Sequence, residues 1–142
     1  MLIDANLLLY AKVADYRQHE RARQWLDEAL AGRRRVGLPW ESLSAFVRLI
    51  TNPRVFPAPL GADAAMAQVL AWLERPAAWV PQPTGEHGQI MSELLAGAGQ
   101  AAELVPDAHL AAIAASHGLT VMSADSDFAR FPDLSWENPV GP

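Results

Sequence analysis

The sequence predicts an α/β fold with a mainly parallel central sheet. Short apolar stretches alternate with segments whose apolar residues recur at helical spacing. Proline, glycine and asparagine fall at the boundaries between them. Strands separated by helices in this way cross over and pair in parallel rather than folding back as hairpins. At 142 residues, with 51% hydrophobic side chains and no linker or internal repeat, the chain reads as a single domain over 1–142 with a substantial core.

The elements follow in order. Met1–Asp4 is a short buried strand running into a helix. Ala22, Trp25, Leu26, Ala29 and Leu30 keep the i, i+3, i+4, i+7, i+8 rule, so an amphipathic helix covers 17–31 and Gly32 closes it, with Trp25 on the buried stripe. Arg35–Pro39 is a second strand. Leu43, Phe46, Val47 and Ile50 mark a helix that Asn52-Pro53 stops. Met66, Val69, Leu70 and Leu73 mark the next, ended by Pro76, and Ala78–Val80 is a weak strand. Ile90, Met91, Leu94 and Leu95 give a helix before the loose GAG stretch. Pro106 at a first helical position, a stripe of Leu110, Ile113 and Ala114, and Gly118 at the end punctuate another helix. Leu119–Ser123 is the clearest strand, followed by a helical turn at Asp127–Phe131 and a last strand near Leu134–Trp136.

Composition removes several functions. Zero cysteines exclude disulfides, thiolate metal sites and cysteine nucleophiles, and fit a cytoplasmic protein. No apolar run reaches a membrane span, and the opening MLIDANLLLY lacks the basic flank of a signal peptide. GxxxxGK[ST] and GxGxxG turns are absent, so nucleotide-cofactor enzymes have no support. His19, His87, His109 and His117 show no metal-ligand spacing, and His117 beside Gly118 reads as a helix-end residue. The net charge of −5 is unevenly spread: 1–54 carries +3 and 55–142 carries −8. A basic flank of Arg33, Arg34, Arg35, Arg48 and Arg54 is therefore a candidate for gripping phosphates, against the plainer readings of a solvated loop and an arginine-rich coding bias.

Four acids occupy junctions that a parallel sheet brings together. Asp4 ends the first strand, Glu41 follows the second, Asp107 sits in the first turn of a helix, and Asp125 follows Leu119–Ser123. Ligand sites in such sheets lie beyond the carboxyl ends of the strands. Singly, each acid has a structural explanation: Asp4 as a helix cap, Glu41 and Asp107 as helix-dipole partners, Asp125 as a turn residue, with Asp127 the expected cap of the last short helix. Jointly they form a carboxylate cluster that calls for a cation, and an all-oxygen donor set selects Mg²⁺ or Mn²⁺ over Zn²⁺.

MLIDANLLLYA, LPWESLSAFVRLITNPRVF and LVPDAHLAAIAASHGLTVMSADSDFARFPDLSWENP together resemble a PIN domain, most closely the toxin component of VapBC toxin–antitoxin pairs, over essentially the whole chain. The resemblance implies a three-layer α/β/α fold and a Mg²⁺-dependent endoribonuclease, with Mn²⁺ able to substitute. It implies Asp4, Glu41, Asp107 and Asp125 as the metal site, with Asp4 and Asp107 the safest ligands. Asn6 and Ser123 support them, and Asp127 is an ambiguous neighbour. It also implies products with 5′-phosphate and 3′-hydroxyl ends, an RNA substrate, a VapB-type antitoxin bound along the helical N-terminal half, and a homodimer. Two alternatives are a non-catalytic PIN-like RNA-binding or interaction module and a PIN nuclease with another nucleic-acid target. One metal or two, and which RNA, are not written in the residues.

Overall fold

Parallel pairing is what the crossover helices impose, and every strand pair obeys it. The computed structural model describes residues 1–99 and 102–142. Its strands are β1 (Leu2–Ile3), β2 (Val36–Gly37), β3 (Ala78–Trp79), β4 (Val121–Met122) and β5 (Trp136–Glu137), ordered β3-β2-β1-β4-β5. Leu2 stands beside Gly37 on one side and Val121 on the other. Among the described residues, six α-helices connect and flank them: α1 (Ala5–Lys12), α2 (His19–Ala31), α3 (Trp40–Ile50), α4 (Ala62–Leu73), α5 (His87–Ala98) and α6 (Val105–Ser116).

The period-two rule of strands separates two cores. Ile3, Val36 and Met122 enter the larger one, with Leu8 of α1, Leu26 of α2, Phe46 of α3 and Val69 of α4. Leu2 and Val121 point the other way, onto Leu94 of α5, Ile113 of α6, Phe128 and Phe131. The result is three layers, α1–α4 on one face of the sheet and α5–α6 on the other. Trp25 is partly buried against the larger core, as its place on the stripe predicts.

The boundaries differ from the sequence reading in several places. The ladders are only two residues long, because each chain segment turns into a helix or loop as soon as it leaves its neighbour. The last strand is shifted to Trp136–Glu137: Leu134 N–H still closes a turn onto Phe131, and Asp133 takes a positive φ of 61°. Helix α5 runs through Gly97 and stops at Gly99, whose φ is 82°. Gly97 is tolerated mid-helix because it lies against Pro132, where any Cβ would collide with the ring. The turn of 3₁₀ helix at Ala102–Leu104 had no pattern to announce it, and the expected turn near 127–131 is a 3₁₀ segment over Ser126–Arg130.

Phe46 is fully buried and meets Trp72 edge-on at 4.9 Å, pinning α3 to α4. Phe46→Ala should cost about 3–5 kcal/mol in urea unfolding. Leu70→Ala, at a side chain 53% exposed, should change stability by less than about 0.5 kcal/mol. Equal costs at the two positions would contradict this packing.

Candidate active site

Strand order reverses between β1 and β4, and the crevice beyond their carboxyl ends is where an open sheet can seat a ligand. Asp4 leaves β1 there, and Ser123 and Asp125 leave β4. Helices α3 and α6 start at the same edge, since each runs antiparallel to the strands, and so deliver Glu41 and Asp107 in their first turns.

Ser123 is completely buried and uses all its hydroxyl's capacity. Its Oγ–H donates to Asp4 Oδ2 at 2.7 Å, and the oxygen accepts from Asn6 Nδ2 and from the Asp125 amide, both at 3.0 Å. Asn6 also donates to Asp4 Oδ2 at 3.3 Å and accepts the Ala124 amide at 3.2 Å. Ser123 and Asn6 therefore both hold Asp4 in place. Asp4 is in addition the cap of α1, accepting the Ala5 amide at 2.8 Å. Burial raises its pKa; the hydrogen bonds from Ser123 and Ala5 oppose this, and the charge of Asp125 adds to it.

Asp107, Asp125 and Asp127 bring carboxylate oxygens within 4.8 Å of one another. Burial, then the charges of Asp125, Asp4 and Asp127, push Asp107 up to about 6. Asp125 rather than Asp127 caps the last 3₁₀ turn, accepting the Asp127 amide at 2.8 Å, which corrects the assignment of the cap to Asp127. Capping leaves Asp127 as a third carboxylate in the cluster. Four mutually repelling acids with only oxygen donors are chemically suited to a hard divalent cation.

Glu41 is not part of the close triplet. Its Oε2 lies 2.7 Å from His109 Nε2, and His109 Nδ1 lies 2.8 Å from His87 Nε2. A carboxylate only accepts, so neutral rings take one set of tautomers: His109 donates from Nε2, His87 donates from Nε2, and His87 Nδ1 keeps a lone pair. That last atom is buried without a partner, as an acceptor, the cheaper kind of orphan. Burial and the neighbouring His109 lower the His87 pKa, against a smaller pull from Glu41. No sequence pattern announces this chain: the histidines are 22 residues apart and meet only because α5 packs on α6.

The structure does not bring Arg33, Arg34 and Arg35 to the acids. They precede β2 and so stand at the opposite edge of the sheet. There, after burial, Arg34's charge is a further cause lowering the Met1 ammonium pKa, and the Arg35 guanidinium sits 4.0 Å above the Trp79 ring. Arg48 lies in the last turn of α3, at the far end from Glu41, and Arg54 follows in the turn anchored by Asn52. Arg17 and Arg21 line a groove of about 430 Å³ with Tyr10, Ala124 and Asn138, and Ala124 is the residue before Asp125.

Residues 1–134 match the PIN domain family. The chain belongs to it. Within the PIN family it is 46% identical over 138 residues to Ribonuclease VapC37 of Mycobacterium tuberculosis, covering 97% of this chain and 96% of that one. It is 39% identical to Ribonuclease VapC33 of the same organism, over 96% of each. This PIN chain also has the fold of VapBC2 from Rickettsia felis, solved bound to a promoter DNA fragment: TM-score 0.72, 16% identity, 96% of both chains. FitAcB from Neisseria gonorrhoeae matches with a TM-score of 0.65 at 22% identity, over 97% of this chain and 96% of that one.

An acid whose folded pKa is raised destabilises the fold once it ionises. Asp107 at about 6 therefore costs nothing below its unfolded pKa, and an increasing amount as pH climbs to about 6, then a constant one. In EDTA, Asp107→Asn should melt a few degrees above the parent near pH 7, with the gain gone near pH 4. An equal difference at both pH values in thermal melts would refute the raised pKa of Asp107.

Proposed function

We propose that this PIN protein is a metal-dependent endoribonuclease and the toxin of a type II toxin–antitoxin pair. The observation that carries the reading is the convergence of Asp4, Asp107, Asp125 and Asp127 on one crevice, with Asp107 pushed up to about 6 and no cationic side chain paired with the triplet among the described residues. The donor set suits Mg²⁺, with Mn²⁺ as substitute; Asp4, Asp107 and Asp125 would hold it with Asp127 beside them, and Glu41, at the rim, would reach it through water. When bound, such a cation activates water and neutralises phosphoryl oxygens. The chain's own residues supply the rest. Ser123 and Asn6 orient Asp4, and His109, backed by His87, fixes Glu41 at the rim. Products then carry 5′-phosphate and 3′-hydroxyl ends.

Relatives named as VapC ribonucleases support RNA as the substrate and a VapB-type protein as the partner. The antitoxin's seat is the groove of about 420 Å³ between α1, α2 and α4, where Lys12, Arg23 and Arg75 surround Leu26 and Trp72. The protein acts as a cytoplasmic homodimer in this reading. Among the described residues, no helix is long and apolar enough to cross a membrane.

Asp4→Asn and Asp107→Asn should each reduce cleavage of total RNA at least 100-fold (roughly, from loss of a charge-stabilising group) while keeping a cooperative melt. EDTA should match them and Mn²⁺ should restore the parent alone. Undiminished cleavage in excess EDTA would end the metal mechanism.

RNA is held by the Arg17–Arg21 groove and cut at the acids beside it. With an Asp4→Asn background, Arg17→Ala and Arg21→Ala should each flatten the slope of log affinity against log salt by about 0.7. The triple Arg33, Arg34, Arg35 to Ala change, at the far edge, should leave that slope unaltered. The opposite pattern in binding titrations would return the RNA path to the far edge.

A further inference from the structure

Trp40 opens α3 one residue before Glu41 and is 44% exposed, while Leu38 and Leu43 on either side of it are fully buried. A core residue would not be left in water there, and nothing in capping a helix calls for an indole. The ring borders a cavity of about 180 Å³ whose other walls are Glu41, Val80, Pro81, Gln82 and Pro83.

Three features make this a slot rather than a gap. Proline fixes φ at two of the four wall positions, so the segment is stiff. Pro81 is buried against β2, close enough to Gly37 that a Cβ there would stand 3.0 Å from its ring. The Gln82 carbonyl is held by His117 Nε2 at 2.7 Å, which anchors the segment from the end of α6. The slot is thus formed before any ligand arrives, and its size admits one planar ring.

Charge selects the part of a nucleotide that fits. Glu41 lines the slot, and a carboxylate repels phosphate, so the occupant is the base. The indole offers a stacking face, and the exposed Gln82 amide offers a donor and an acceptor at the rim. We propose that Trp40 and the Val80–Pro83 wall form a subsite for one unstacked nucleobase of single-stranded RNA, next to the phosphate that is cut. The subsite rests on the ribonuclease reading above and adds where the enzyme reads its substrate: sequence preference enters beside Glu41, separately from the arginine groove.

The test uses the full chain with Asp4→Asn and a short single-stranded oligoribonucleotide of mixed sequence, read by fluorescence anisotropy. Trp40→Ala should weaken binding about tenfold, as loss of one stacked base does. Trp40→Leu should behave like Trp40→Ala, and Trp40→Phe should keep most of the affinity. The salt slope should not change, because no phosphate contact is lost. An abasic ribose walked along the probe should, at one position, remove the difference between the Asp4→Asn parent and its Trp40→Ala derivative. Unchanged affinity in Trp40→Ala, a loss shared by no single abasic position, or a changed mass in light scattering would overturn the subsite; the last would assign Trp40 to a contact between copies. Binding by the Asp4→Asn parent with no effect of Trp40→Ala removes the subsite and leaves the ribonuclease reading standing, whereas no RNA binding by the parent removes both.

Discussion

The hydrogen bond from Ser123 Oγ to Asp4 Oδ2 joins the ends of the two strands between which the site is built. A hydroxyl has one proton and two lone pairs, and all three are committed here: to Asp4, Asn6 and the Asp125 amide. The Trp136 indole adds a bond to the Ser123 carbonyl at 3.0 Å, tying β5 to the same point. Asp4, Asn6, Ala124 and Asp125 thereby have one mutual arrangement. Leaving the Asp4 carboxylate buried without these donors would cost about 1–3 kcal/mol or more, so the network is what lets an acid sit at the end of a central strand at all.

From that constraint follows the double duty of the acids. Asp4 caps α1 and Asp125 caps the last 3₁₀ turn, each with one side-chain oxygen on a backbone amide. The cap fixes the rotamer; the second oxygen of Asp4 then meets Ser123 and Asn6, and Asp125 keeps an oxygen within reach of Asp107 and Asp127. A structural role and a functional one are therefore not rivals at these positions. Capping is how a two-residue strand, too short to hold a side chain rigid by its ladder, makes the carboxylate precise.

How far the sequence could be read divides along the same line. The sheet and most helices were legible because apolar periodicity and Pro or Gly punctuation are local. That Asp4, Glu41, Asp107 and Asp125 share one edge was legible because parallel topology sends whatever follows a strand, or starts the helix before one, to that edge. The same rule places Arg33–Arg35, which precede β2, at the other edge, a direction that a charge sum over half the chain does not carry. The His87–His109–Glu41 chain was not legible, since it depends on the rotation of α5 against α6. The choice between Asp125 and Asp127 as cap was not legible either, because two acids spaced by one residue fit either role until the 3₁₀ turn's start is fixed.

The Ser123 network and the carboxylate cluster pull in opposite directions, and this suits the site to a cation. Hydrogen bonding holds Asp4 rigid, so the acids cannot relieve their repulsion by swinging apart; burial first, and the charges of Asp125, Asp4 and Asp127 next, push Asp107 up to about 6. Any cation that enters is stabilised by charges already positioned, with little reorganisation to offset the gain. Binding and folding are then linked: a ligand that favours the assembled cluster stabilises the whole chain in proportion to its occupancy. His109 holds Glu41 outside the tight triplet, at the rim of the site, so the charges that crowd one another most closely are those of Asp107, Asp125 and Asp127.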